Sequence, residues 1–176
     1  MITVTIDNAS VLAALSQLRD RVDNPAPALS KIGERLTEST QARFNTSTGP
    51  DGQRWAPNSQ ATILDYLRGP KDAPRSGIYG KKTGKITAKG AGYAMNKKPL
   101  VASGVLQDSI DWQLSGREAV IIGTDRFTEP PGGWDAGAAV HQFGSKNGKI
   151  PARPFLGVSA DDERTILEIL TAHLSA

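Results

Sequence analysis

The sequence predicts an α+β domain in which helices pack on a mainly antiparallel sheet, with one long basic loop or arm. Three observations carry that prediction. Apolar residues recur at helical spacing near both ends, at Val11, Leu12, Leu15, Leu18 and Val22 and again at Ile166, Ile169, Leu170 and Leu174. Runs with strand character stand apart from them, at residues 1–7 and after residue 110. Between these regions, residues 68–98 are rich in Lys and Gly and poor in large apolar side chains. Helices and strands grouped in this way, rather than strictly alternating, indicate α+β architecture.

Ile2, Val4 and Ile6 alternate with Thr3 and Thr5, the pattern of a half-buried strand. Asn8 or Ser10 then caps a first helix. Asn24 before Pro25 starts a second, which runs to about Phe44 on the line Leu29, Ile32, Leu36 and, after Thr40, Phe44. Gly33 weakens that helix slightly and permits close packing. Residues 46–52 are dense in turn chemistry, and Ala61–Leu67 forms a short helix. Val105–Ile110 is another. Asp111–Leu114 and Ala119–Gly123 are strands of a hairpin around Ser115-Gly116-Arg117. Thr128–Gly137 is a Pro- and Gly-rich loop around Trp134, and Ala138–Phe143 suits either helix or strand. Ile150–Val158, with Pro151 and Pro154, is an edge strand or extended segment. Ser159 and Asp162 form a capping box before the last helix. With no internal repeat and no clean boundary, residues 1–176 read as a single domain with a mobile basic arm at about 68–98.

Composition excludes several chemistries. The chain has no Cys, which removes disulfides, thiolate zinc sites, iron–sulfur clusters and a cysteine nucleophile. Two His cannot make a three-histidine metal site. No apolar run approaches the roughly 20 residues that span a bilayer, so no membrane partner is expected. The first residues lack the basic start and apolar stretch of a signal peptide, which implies a protein made and kept in a cytoplasm.

A formal net charge of +3 conceals an asymmetry. Residues 68–98 hold nine basic residues and one acid, Asp72, for a local charge of +8, against −5 for the remainder. Such a segment neutralises phosphates without reading sequence, through Lys81, Lys82, Lys85, Lys89, Lys97 and Lys98, with Tyr79 and Tyr93 able to stack on bases. It equally suits an acidic protein surface, including a neighbouring copy, or a solvated loop that binds nothing.

Candidate catalytic arrangements are weak. Ser103, His141 and an Asp make a conceivable triad, but no Gly-x-Ser-x-Gly elbow exposes the serine, and His141 lies in an apolar run that suits a packed histidine. Neither His has a second ligand at helical spacing. The acids 161–163 sit where they complement a helix dipole. Gly49-Pro50-Asp51-Gly52 and the run at 80–85 both lack the features of a phosphate loop. No catalytic residue, metal or cofactor is expected. Trp55 and Trp134 are interface anchors or lids over the domain's own core, and Trp112 belongs to core or sheet surface. Arg153, stiffened by Pro151 and Pro154, suits an ion pair or an intersubunit contact, or is a solvated edge residue.

Five blocks in order carry a resemblance. They are Arg43-Phe44 with Pro50-Asp51-Gly52-Gln53-Arg54-Trp55-Ala56-Pro57; Leu100 to Ile110; Val120-Ile121-Ile122-Gly123-Thr124; Ala139-Val140-His141-Gln142-Phe143-Gly144; and Ile150-Pro151-Ala152-Arg153-Pro154-Phe155-Leu156-Gly157. Together they resemble the phage virion morphogenesis family, which includes tail completion proteins of P2-like and Mu-like phages. The resemblance implies a non-enzymatic structural protein at the neck or head-proximal tail end. It implies a homo-oligomer, a hexameric ring, that caps the tail tube and meets head-connector proteins, with non-specific DNA contact open in the lumen. It implies residence in the virion after assembly in the host cytoplasm. On that reading Arg153, Pro154, Phe155, His141, Gln142, Phe143 and Trp134 are subunit or partner contacts, and the six lysines above meet DNA or an acidic surface. The basic arm and the loop Glu129–Trp134 look longer than a minimal member needs.

Overall fold

The computed structural model describes residues 8–68, 77–80, 85–124 and 137–175. The strand expected over residues 1–7 and the loop around Trp134 lie outside them. The described elements are mixed helix and antiparallel strand, as the sequence predicts. They fall into two compact units, one built from residues 1–39, 110–123 and 158–176, the other from 40–109 and 124–157.

In the first unit, helix α1 spans Ala9–Asp23 and α2 begins at Ala26. Pro25 precedes that start, and its carbonyl accepts from the N–H groups of Ala28 and Leu29, both at 3.0 Å. Ala28, Ile32 and Leu36 are buried. The hairpin pairs β1 (Asp111–Ser115) with β2 (Ala119–Gly123) in the register Trp112 opposite Ile122 and Leu114 opposite Val120. Gly116 opens its turn at φ +65°, a conformation that favours glycine. Gly33 supplies the close packing expected of it: a β-carbon there would lie 2.4 Å from Cδ2 of Trp112. Helix α7 spans Ala160–Ser175. Its capping box is complete. Asp162 Oδ2 accepts from Ser159 N (2.8 Å) and Ser159 Oγ (2.7 Å), and Ser159 Oγ accepts from Asp162 N (3.2 Å).

Helix α1 behaves differently from its sequence pattern. Its stripe Val11, Leu12, Leu15, Leu18 and Val22 remains 41–59% exposed. The helix is tied to α7 near its last turn, where Arg21 Nη1 donates to the Leu174 carbonyl (3.0 Å) and the His173 ring bonds the Arg21 carbonyl (3.0 Å).

The second unit contains the end of α2, which closes at Thr46, then α3 (Gln60–Arg68), α4 (Ala88–Met95), α5 (Val105–Asp108) and α6 (Ala138–Phe143). Thr40 and Phe44 continue the buried line of α2. The ambiguous run 138–143 is therefore helix, and the helix expected over Val105–Ile110 is one turn long.

The segment 68–98, read from the sequence as an arm, contains a folded piece that its composition does not announce. Tyr79 bridges Ile86, Ile78 is buried, and Thr87 caps α4 by accepting from Gly90 N (3.1 Å). The Thr87 hydroxyl also lies 2.6 Å from the Gly77 carbonyl, to which it donates. Only glycine fits at position 90, since a β-carbon would stand 2.6 Å from the Ile78 carbonyl. Helices α3 and α4 touch. Residues 150–158, expected as an edge strand or extended, form no strand and are held by side chains instead.

Candidate functional site

The second unit is organised around the segment Ile150–Gly157. Phe155 is 0% exposed and packs on Phe44, ring centroids 5.6 Å apart; Phe44 meets Trp55 edge-on at 5.3 Å. Burying these rings is the main apolar gain of the unit. It also buries main-chain polar groups of a segment that has no ladder partner, and each such group needs a hydrogen bond.

Three side chains supply those bonds, and a fourth, from the segment itself, ties it to a neighbouring stretch. Trp55 Nε1 donates to the Pro154 carbonyl (2.8 Å). Arg43 Nη1 donates to the carbonyls of Phe155 (2.9 Å) and Gly157 (2.8 Å). Gln142 Oε1 accepts from Phe155 N and Leu156 N, each at 3.0 Å, while its Nε2 donates to the Leu156 carbonyl (2.9 Å). Arg153 reaches the other way: Nε donates to the Ala56 carbonyl (2.7 Å) and Nη2 to that of Pro57 (2.8 Å). Its own N–H donates to the His141 carbonyl (2.7 Å). The result is a knot that joins residues 43, 55–57, 141–142 and 153–157.

Glycines permit the close approaches. Gly144 stands at φ +81°, with the Ala152 amide nitrogen 3.1 Å from where a β-carbon would sit. Gly157 stands at φ +147° against Pro50. Both positions exclude ordinary side chains.

Arg153 is only 7% exposed. The solvated-edge reading of Arg153 is thus corrected: its guanidinium is occupied by the chain's own carbonyls, and burial lowers its pKa, with Tyr66 opposing. Among the described residues the guanidinium makes charge-assisted bonds to main-chain oxygens and no ion pair. Gln142 and Phe155 likewise face inward. Phe143, between them in sequence, is 78% exposed.

His141 and Ser103 do share a cavity, of about 330 Å³, lined also by Tyr66, Leu106 and Arg153. No Asp or Glu lines it among the described residues. His141 Nδ1 is buried and has no hydrogen-bond partner there, so no acid orients the ring through that nitrogen among the described residues. Burial, then the Arg153 charge, lowers the His141 pKa from 6.5. The packed histidine expected from the sequence is present, with no hydrogen bond at Nδ1. Among the described residues, no group of three His, Asp or Glu is placed to hold a metal ion, and no helix is long and apolar enough to cross a membrane.

The lysines divide. Lys81 and Lys82 lie outside the described residues, as does Trp134. Lys85 and Lys89 are exposed on either side of the α4 cap. The Lys97 ammonium sits between two rings, 5.1 Å from the Tyr66 centroid and 5.0 Å from that of Tyr93. Lys98 Nζ donates to the Asn45 carbonyl (2.8 Å). Tyr93, expected to stack on bases, is thus matched to a cation of its own chain. The sequence reading did not single out Arg43 as a site residue. Its only signal was its place beside Phe44 in the first family-like block.

Buried polar side chains here bind the chain's own main chain, the chemistry of a scaffold holding a segment rigid. The chain belongs to the phage virion morphogenesis family, which it matches over residues 6–175. It is 28% identical over 154 residues to tail completion protein S of Escherichia phage P2, across 82% of this chain and 81% of that protein. It is also 44% identical over 75 residues to the Mu-like prophage FluMu G protein 2 of Haemophilus influenzae, across 40% of this chain and 47% of that protein. No solved structure matches the chain.

Proposed function

We propose that this chain is a non-enzymatic structural subunit that completes the phage tail at its head-proximal end and supports head–tail joining. The observation that carries the reading is family membership over nearly the whole chain, with a relative named for tail completion. The knot around Phe155 supports it physically. A rigid segment held by Arg43, Gln142 and Arg153 presents the exposed ring of Phe143 at a defined place, as an assembly contact requires.

On this reading residues 1–176 act as one tail-completion domain, with 68–98 as its basic arm. Copies of the chain close into a hexameric ring in the neck of the virion, assembled in the host cytoplasm. One face meets the tail tube and the other the head connector. Lys81, Lys82, Lys85, Lys89, Lys97 and Lys98 are the basic set that meets DNA in the lumen or an acidic protein surface.

The test is genetic and visual. A phage lacking the chain is expected to accumulate full heads and unjoined tails, and imaging of complemented particles is expected to show the chain as a ring at the tail's upper end. Normal joining without the chain, or its absence from finished particles, overturns the reading.

A further inference from the structure

Helix α1 is amphipathic by sequence yet apolar toward solvent in the fold. Every residue of Ala9–Asp23 is exposed except Arg21, which is half-buried. A lone helix of about 12–15 residues is marginal in water, because nucleation is costly and its stability comes from packing an apolar face. The side-chain hydrogen bond at its start is also missing: Asn8 occupies the N-cap position, and its side chain makes no bond to the first turn. Tied near its last turn, α1 therefore needs a partner for its stripe.

The same unit carries a matching concavity. A groove of about 450 Å³ runs between α2 and α7, walled by Pro27 and Ala28 on one side and Ile169 and Ala172 on the other. Its charged lining residues are Lys31 and Glu168, one of each sign. Helix α1 is uncharged from Ala9 to Leu18 and then carries Arg19, Asp20, Arg21 and Asp23, two of each sign. An apolar stretch with a mixed-charge end thus has a counterpart of the same composition on every copy of the chain.

We propose that the α1 stripe docks into the α2–α7 groove of a second copy of this chain, head to tail. Made in one direction only, the contact is heterologous: it passes from copy to copy and forms a ring where the rotation closes. This rests on the reading of the chain as a subunit that assembles with itself, and it names the surfaces that do so. At about 22 Å long, α1 covers less than a standard interface, so it supplies the specific part of a larger contact.

The chain lacks Cys, which makes cross-linking clean. Full-length L15C and A172C are prepared with tags of different mass, mixed, and oxidised. A disulfide between the two tagged chains is expected. L15C pairing with itself would put stripe on stripe and overturn the head-to-tail contact. In parallel, the L12E/L15E variant is compared with the unmodified chain by sedimentation and by thermal melting. Expected are an unchanged melting temperature and self-association weakened about 30-fold or more, since both leucines are already exposed in the free chain. If the unmodified chain and the L12E/L15E variant assemble equally, with no L15C–A172C disulfide, this inference falls and the ring reading stands. If the unmodified chain stays monomeric at every concentration, both fall.

Discussion

Arg43 and Phe155 lie 112 residues apart in sequence, and a buried guanidinium N–H of the first donates to the carbonyl of the second at 2.9 Å. The same Nη1 reaches the Gly157 carbonyl, so one side chain fixes both ends of a three-residue stretch. The aromatic contact of Phe44 with Phe155 sits beside it, and apolar burial and hydrogen bonding therefore support the same backbone path.

Removing that pin tests how much of the unit depends on it. Arg43→Ala leaves two buried or half-buried carbonyls without their donor, and is expected to cost about 2–4 kcal/mol in urea unfolding. Arg43→Lys keeps a charged donor but carries it on a flexible four-carbon stem, and is expected to recover less than half. A loss below about 0.5 kcal/mol for the Ala variant would mean the segment is held by Gln142 and packing alone.

Gly33→Ala probes the first unit. The new methyl group would stand 2.4 Å from the Trp112 ring, so the hairpin must move. A gain of up to about 1 kcal/mol in helix propensity opposes an overpacking cost of about 1–3 kcal/mol, for a net loss. The Trp112 indole resonance is expected to shift. An unmoved resonance with undiminished stability would show that the contact is slack.

His141 gives a pH signature. Its folded pKa is depressed below 6.5 by burial and then by Arg153. The unfolded chain therefore binds the proton more readily than the folded one. The sign follows: stability is fully present above the unfolded value and is lost as pH falls below about 6.5 toward the folded pKa. His141→Asn, which does not titrate there, is expected to remove that slope from the difference between the two proteins' melting curves at pH 5 to 7. Parallel curves would show that the ring is solvated.

Phe143→Ser separates assembly from folding. At 78% exposure the ring contributes little to the isolated chain, so stability is expected to change by no more than about 0.5 kcal/mol. Incorporation into particles is expected to fall. A variant that complements a deletion phage as well as the unmodified chain would remove Phe143 from the contact surface.

Much of the local structure was legible because its signals are local. The proline at position 25, the capping box at Ser159 and Asp162, and the turn at Gly116 each act within a few residues. The basic segment was less legible. Its composition suggested only a loop, yet Thr87 and Gly90 seat α4 on the Ile78 backbone, a contact that depends on the missing side chain of one glycine. Lys97 likewise belongs to a charge run by sequence and to a tyrosine pair by structure.

By itself the sequence determined the α+β class, the family, and which faces of the helices are apolar, because a period of 3.6 fixes those faces along the chain. Tertiary structure alone decided what each face meets. It drew Arg43 and Gln142 inward, because burying Phe155 also buries main-chain groups that must be bonded, and these two side chains reach them from 13 to 114 positions away. It also left the α1 stripe open, since periodicity says that a face is apolar and not which molecule covers it.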